Sequence, residues 1–172
     1  MQKILIDGYN VIHADERLKR TAARQLETAR ELLIAAIKTY AAGKKMRVTL
    51  VFDGAGRMTD AEPVVPGKIQ VLFSGGGQTA DELIVQILED SRNPREYIVV
   101  TSDMTDIGRA ARGMGAEVLG SVEFLKRVKR KRAANERRAA PSEDEQDGPD
   151  ADEEGLDYWM DKFGGDTGRP EE

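Results

Sequence analysis

Lys3-Ile4-Leu5-Ile6-Asp7, followed at once by Gly8, is an apolar run that ends on a carboxylate. A run this short, closed by a glycine, predicts a buried strand with Asp7 at its carboxyl end. Residues 47–53, RVTLVFD, repeat the pattern and stop on Asp53 and Gly54. Residues 96–102, EYIVVTS, form a third such run with Asp103 just beyond it. Helical patterns fill the spaces between. Over 22–42, Leu26, Ala29, Leu33, Ile37 and Tyr40 recur every three or four residues, and Gly43 supplies a stop. Thr79-Ala80-Asp81-Glu82 opens a second helix: Thr79 and Glu82 match a capping box, which puts Asp81 in the first turn. A short helix over about 105–113 leads through Gly115 to a strand at 116–119. Ser121 is placed to cap a last helix that carries Phe124, Leu125 and Val128. Residues 68–73, KIQVLF, alternate as a less buried strand does, and 55–67, with Gly56, Pro63, Pro66 and Gly67, read as a loop. Strands alternating with helices predict an α/β fold with a mainly parallel central sheet.

The 172 residues suit one domain with a tail. Apolar residues make up 40% and charged residues 33%. No stretch approaches the roughly 18 apolar residues of a membrane span, and the first residues do not form a signal peptide. There is no Cys, which excludes disulfides, thiolate nucleophiles, iron–sulfur clusters and Cys-based zinc sites. A cytoplasmic location is the expectation that follows. One His, His13, excludes a multi-His metal site and a two-His acid–base ribonuclease. Any chemistry falls to carboxylates.

The net charge of −5 hides an asymmetry. Residues 1–140 hold 24 Lys and Arg against 18 Asp and Glu, a balance of +6, while residues 141–172 hold 2 against 13, a balance of −11. A basic body with an acidic tail suggests a nucleic-acid partner. The regular patterning stops near 139, and residues 141–155, PSEDEQDGPDADEEG, have the composition of a disordered segment. An apolar island at 156–163, LDYWMDKF, interrupts that tail; Leu156, Trp159, Met160 and Phe163 fall at helical spacing. The expected division is a domain over 1–132 and a basic-to-acidic, largely disordered tail over 133–172.

Asp7, Asp53 and Asp103 end strands, and Asp81 opens a helix after the glycine-rich loop Gly75-Gly76-Gly77. In parallel α/β sheets, ligands bind in the crevice at the carboxyl ends of the strands. Carboxylates crowded there repel one another without a cation. Mg²⁺ or Mn²⁺ suits such oxygen ligands, and in such sites activates water and stabilises the charge on a phosphodiester. Each Asp taken singly is more often a turn or helix-capping residue. Glu82 is explained by the capping box alone. Asp106 is best read as the start of the helix after Asp103. The glycine loop precedes no Walker or Rossmann signature, so no nucleotide cofactor is expected.

These residues also carry a resemblance. Ile4-Leu5-Ile6-Asp7-Gly8-Tyr9-Asn10-Val11-Ile12, with Val51-Phe52-Asp53, Thr79-Ala80-Asp81-Glu82 and Val100-Thr101-Ser102-Asp103, resembles the YacP-like branch of the NYN domains, relatives of the PIN nucleases. It spans about residues 2–132, in order and with family-like spacing. The resemblance implies a PIN-like three-layer fold and a metal-dependent endoribonuclease. It implies that Asp7, Asp81 and Asp103 bind metal, that Asn10 helps order the site, and that Asp53 supports it as a further metal-site residue. It also implies messenger RNA as a substrate and the ribosome as a setting. A metal-activated water would attack phosphorus in line and leave a 3′-hydroxyl and a 5′-phosphate.

From the residues alone, Asn10 after Gly8-Tyr9 fits a turn, and His13 fits a surface or packing position. Aromatic residues are 5% of the chain, too few for a broad stacking platform; Tyr9, beside Asp7, is the best placed. Residues 126–138, KRVKRKRAANERR, bring Lys126, Arg127, Lys129, Arg130, Lys131 and Arg132 onto one helix. A run of one sign costs self-repulsion unless a polyanion is near, so RNA or ribosome contact is expected there. Two rival functions remain at this level. One is a non-catalytic RNA- or ribosome-binding protein with a vestigial acidic pocket. The other is a phosphohydrolase of small esters, against which the basic helix argues.

Overall fold

The run from Lys3 forms β1 (Gln2–Asp7), one of the two innermost strands of a six-stranded sheet. The computed structural model of the chain describes residues 1–54 and 63–139. In chain order, β1 is followed by α1 (Gly8–Ala14), α2 (Glu16–Arg24), α3 (Leu26–Ala41), β2 (Met46–Asp53), β3 (Pro63–Val65) and β4 (Ile69–Ser74). Then come α4 (Ala80–Glu89), β5 (Tyr97–Thr101), α5 (Ile107–Gly113), β6 (Glu117–Gly120) and α6 (Ser121–Ala139). The strand order is β3-β4-β2-β1-β5-β6. Every pairing is parallel except that of β3 with β4. Residues Met1–Asn135 form one unit; the described part of the second unit, Glu136–Glu172, is the last turn of α6.

The strand period of two sorts the core into two layers. Ile4, Ile6, Val48, Leu50, Phe52, Ile98 and Val100 pack with residues of α1, α2, α3 and α6. Leu5, Val51 and Val99 face the other way and pack with α4 and α5. The sheet is thus covered on both faces, the three-layer arrangement expected for parallel strands. After β1 the chain crosses to the first face; after β5 it crosses to the second. The gap between the carboxyl ends of β1 and β5 is therefore the topological switch point, where open α/β sheets form their crevice.

Several local expectations change. The helix expected over 22–42 is two helices: α2 ends at Arg24, and α3 begins at Leu26 after an extended Gln25 with φ −153°. α1 is seven residues long, too short to show a period, and α2 buries only Leu18, so its periodicity lies in its charged residues rather than in an apolar run. The loop expected over 55–67 contains β3 at its end, an antiparallel edge strand begun by Pro63, a position where proline costs no ladder bond; residues 55–62 lie outside the described residues. Ser121 does not cap α6: it is the first helical residue, and its Oγ is buried with no hydrogen-bond partner among the described residues. α6 runs to Ala139. The acidic stretch 141–155 and the apolar island 156–163 lie outside the described residues. Among the described residues, no helix is long and apolar enough to cross a membrane.

Candidate active site

Asp7 is both the last residue of β1 and the N-cap of α1. The turn from strand to helix is tight because position 8 is Gly. A Cβ there would lie 2.1 Å from Cε1 of Phe52, a fully buried ring. Phe52 is boxed in by Tyr9, edge-on at 5.3 Å, and by Phe73, stacked at 5.8 Å. Arg30 covers this aromatic cluster, with its guanidinium 5.2 to 5.6 Å from the three ring centres, and donates hydrogen bonds to the Tyr9 hydroxyl. Tyr9 is thus absorbed into the packing under the turn rather than offered as an open stacking face.

Asp7 is 3% exposed, and its carboxylate is held chiefly by Asn10, with a further backbone donor from Tyr9. Oδ1 accepts from the Asn10 backbone N–H at 3.0 Å, and Oδ2 accepts from the Asn10 side-chain amide. The same amide nitrogen donates across to Thr101 Oγ1 at 3.3 Å, so Asn10 ties the end of β1 to the end of β5. Thr101 Oγ1 also accepts from the Asp103 N–H at 3.0 Å. Beyond β5, Asp103 Oδ1 accepts from the Thr105 N–H at 2.9 Å, the Thr105 hydroxyl at 2.8 Å and the Asp106 N–H at 2.9 Å. Oδ2 of Asp103 has no protein partner among the described residues. Asp106 occupies the N-cap position of α5, as expected of a helix start, yet its side chain makes no cap bond.

On the far side of β1, Asp53 ends β2. Its Oδ1 accepts from the Ala80 N–H at 2.6 Å and from the Ser74 hydroxyl at 3.3 Å. That bond pins the start of α4, whose capping box between Thr79 and Glu82 is formed as the sequence predicts. Asp81 follows in the first turn, half-buried. Among the described residues it has neither a hydrogen bond nor an ion pair.

Strand alternation puts Asp7, Asp53 and Thr101 on the same face as Leu5, Val51 and Val99, the face covered by α4. Electrostatics binds the four carboxylates into one group. Burial pushes the Asp81 carboxyl above its ordinary value, and the charges of Asp7, Asp53, Asp103 and Asp106 push it further. Burial also raises Asp7, against the Asn10 hydrogen bonds that lower it, and the Asp53 charge adds to the rise. Asp103 lies below its ordinary value, chiefly because of the Asp106 N–H and the Thr105 donors. Among the described residues, no three carboxylate or imidazole groups stand close enough to form a ready-made metal cage. The donors are nonetheless all hard oxygens with an uncompensated charge. That suits a hydrated Mg²⁺ or Mn²⁺, which binds through one or two carboxylates and keeps several waters. Asp7, Asp81 and Asp103 are the carboxylates that could supply one or two direct ligands to such an ion or hydrogen-bond its waters; Asp53 could support it, with its Oδ1 given to α4.

The basic residues lie elsewhere. Phe124 and Val128 of α6 pack on the face opposite Asp7. At about 1.5 Å per residue, Lys126 to Arg132 stand roughly 8 to 17 Å along the axis from the helix start. Lys126, Arg127 and Arg130 share one carboxylate, Glu123, at 4.0, 3.7 and 3.8 Å. Lys129 pairs with Asp15 at 2.8 Å, where Asp15 also caps α2. Lys131 is half-buried and Arg132 exposed. His13 is exposed in the last turn of α1. Thr101 and Ser74 are the polar residues that sequence reasoning passes over. For Thr101 the available signal is its place two residues after Val99, on the face of Asp7.

Residues 4–161 match the YacP-like NYN domain family. The match runs past the 2–132 of the resemblance and takes in the first part of the apolar island. The chain is 33% identical over 133 residues to the uncharacterized protein YacP of Bacillus subtilis (strain 168), covering 74% of this chain and 78% of that protein. The crystal structure of a point variant of Rae1 (YacP) from Bacillus subtilis superimposes with a TM-score of 0.66 at 32% identity, over 80% of this chain and 81% of that one. Another structure of Rae1 (YacP) from Bacillus subtilis gives 0.65 at 30% identity, over 80% and 79%. The sheet order, the carboxylates gathered at the switch point and this match over most of the sequence lead to one conclusion: the chain belongs to the YacP-like NYN domain family, within the PIN-like nuclease superfamily.

Proposed function

We propose that this chain is a metal-dependent endoribonuclease, cleaving RNA phosphodiester bonds with Mg²⁺ or Mn²⁺ held by Asp7, Asp81 and Asp103. The observation that carries the reading is Asp81. It is a half-buried carboxylate with no protein partner among the described residues, raised by burial and by four neighbouring carboxylates. A cation relieves that repulsion. The ion, when bound, supplies water activation and charge stabilisation at phosphorus. The chain's own residues supply the frame. Asn10 fixes both oxygens of Asp7, Asp53 pins the turn that bears Asp81, and the Thr105 and Asp106 donors fix one oxygen of Asp103. The exposed cations of α6 support RNA contact away from the reacting centre, and messenger RNA on the ribosome and a cytoplasmic setting belong to the same reading.

Purified protein is incubated with end-labelled RNA and Mn²⁺ or Mg²⁺, with an EDTA control, beside Asp81→Asn. Internal cleavage that needs metal and is lost in the variant is the expected result. RNA binding without cleavage at any metal concentration would instead identify the non-catalytic RNA-binding protein.

A further inference from the structure

We infer that α2 carries the RNA strand between the basic helix α6 and the crevice: Arg17, Arg20 and Arg24 form a stripe that binds its phosphate backbone. This rests on the ribonuclease reading above. Four of the nine residues of α2 are cations, against the one carboxylate of Glu16. Arg17, Arg20 and Arg24 follow one another at three and four residues. They therefore share one side of the helix, within about 60° of arc and over roughly 10 Å of axis. All three are exposed, while Leu18, Thr21 and Ala22 turn toward the protein. Among the described residues, the side chains of Arg17 and Arg24 make neither a hydrogen bond nor an ion pair. Arg20 meets only Glu16, at 3.7 Å between two largely exposed side chains. The cations of α6 are more fully paired: Lys126, Arg127 and Arg130 share Glu123, and Lys129 has Asp15.

The two ends of α2 fix where it leads. At its start, Asp15 accepts from the Arg17 and Leu18 N–H groups and also binds Lys129 of α6 at 2.8 Å. At its end, Gln25 closes α2 and opens α3. One turn into α3, Arg30 donates to the hydroxyl of Tyr9, two residues beyond Asp7. The helix thus runs from the basic helix to the strand–helix turn that bears the acidic site. Like charges three and four residues apart destabilise a helix, and α2 buries only Leu18, so nothing in the fold calls for this stripe. A polyanion relieves the repulsion, and the guanidinium fork matches phosphate oxygens. A single RNA strand is the occupant that fits. It must pass Asp7 to be cut, and a line of three arginines follows one backbone. The stripe holds no aromatic side chain, so the contact positions the strand without reading its bases.

The test is filter binding of a labelled single-stranded oligoribonucleotide to the full-length protein, in EDTA, across a salt series. The variant combines Arg17→Gln, Arg20→Gln and Arg24→Gln; glutamine keeps the helix propensity, and melting curves check the fold. A control combines Lys45→Gln, Arg92→Gln and Arg95→Gln, exposed cations that precede β2 and β5 at the sheet edge opposite Asp7. It removes the same charge elsewhere. The α2 variant is expected to lose about 2 from the slope of log affinity against log salt, about 0.7 for each of three phosphates, while the control keeps its slope. Wild-type binding by the α2 variant overturns the inference, and so do equal losses in the two variants, which would mean net charge alone. Should the triple variant not fold, Arg24→Gln by itself is expected to lower the slope by about 0.7, and an unchanged slope overturns the inference. With Mn²⁺ present, the triple variant should raise KM for cleavage and keep kcat. An unchanged KM despite weaker binding would place the bound RNA off the reacting strand and overturn the inference too. If the wild type binds RNA and never cleaves it, the ribonuclease reading falls while the salt slopes still decide the stripe. If the wild type binds no RNA, both fall.

Discussion

Asp53 Oδ1 accepts a hydrogen bond from the Ala80 N–H at 2.6 Å, so a carboxylate at the end of β2 caps α4 from outside the helix. Thr79 serves the Glu82 N–H of the same first turn. Two of the donors left over at the helix start are thus met from different elements. The bond also ties Asp81 to the sheet. Asp53→Ala is expected to cost about 1 kcal/mol of stability, the usual worth of a cap. Asp53→Asn keeps an acceptor oxygen and should cost less. Urea unfolding of both variants checks this, and equal midpoints would mean that the Asp53–Ala80 bond contributes nothing.

The shifted carboxylates give a pH dependence with a definite sign. Asp7 and Asp81 are raised in the folded chain, so the folded state holds their protons more tightly than the unfolded state does. Their contribution to stability is full below the ordinary carboxylate value, about 3.9, and is lost as pH rises through their folded values. Asp15, lowered mainly by Lys129 against the cost of burial, and Asp103, lowered by its backbone and Thr105 donors, act oppositely. Their contribution is present above the ordinary value and lost as pH falls through their folded values. Metal-free protein should therefore be most stable on the acid side of neutrality, just above the ordinary carboxylate value. Asp81→Asn should flatten the loss toward neutral pH and melt higher than wild type at pH 7 without metal. On the metal-site reading, saturating Mn²⁺ should reverse the order. A metal at a hundredfold excess over its Kd stabilises by about 2.7 kcal/mol, and the variant should gain less. Melting curves from pH 4 to 8, with and without Mn²⁺, carry the test.

What the sequence discloses and what it hides follow one physical line. The carboxylates at 7, 53 and 103 are legible because a buried parallel strand is a short apolar run with a sharp end. The capping box is legible because its two partners are three residues apart. The roles of Asp53 and Thr101 are hidden because their partners are distant in sequence: Ala80 lies 27 residues from Asp53, and Asn10 lies 91 from Thr101. α1 and α2 are hidden for another reason. Seven residues are two turns, too few for a helical period to show, and in α2 the pattern is carried by charged residues set against Leu18 and Ala22 rather than by large apolar side chains. Ser121 misleads because a serine before an apolar helix usually caps it, whereas here it lies inside the first turn.

Gly8 sets two effects against each other. In a helix, Ala is favoured over Gly by about 1 kcal/mol, so Gly8→Ala would stabilise α1 on propensity alone. The added Cβ would lie 2.1 Å from Phe52 Cε1, and the ring cannot retreat because Tyr9 and Phe73 flank it. Overpacking of a buried ring costs about 1–3 kcal/mol, which exceeds the propensity gain. Gly8→Ala should therefore lower the melting temperature and impair cleavage by moving Asp7. Phe52→Leu in the same chain opens space beside the new methyl, and the double variant should be more stable than the sum of the two single changes. Strict additivity would place the origin of the glycine elsewhere.

Glu123 is the one acidic residue in the first turn of α6, and Lys126, Arg127 and Arg130 all lie within 4.0 Å of it. It holds three cations of the basic helix in partial neutrality. Its side chain is 46% exposed, so each pair is worth little to the fold, about 0–1 kcal/mol. The effect on a polyanion is larger, because phosphates must compete with Glu123 for the same charges. Glu123→Gln should bind single-stranded RNA more tightly, and the slope of log affinity against log salt should steepen by about 0.7 for each further phosphate neutralised. The advantage should shrink as salt rises, since the Debye length falls from about 10 Å at 0.1 M to about 3 Å at 1 M. Lys129→Ala makes the contrasting variant. Its partner Asp15 also caps α2, so that change should lower the melting temperature through Asp15, which Glu123→Gln should not. Filter binding of a labelled oligoribonucleotide across a salt series measures both. If Glu123→Gln leaves affinity and slope where the wild type has them, this face of α6 is a solvated surface and RNA is held elsewhere.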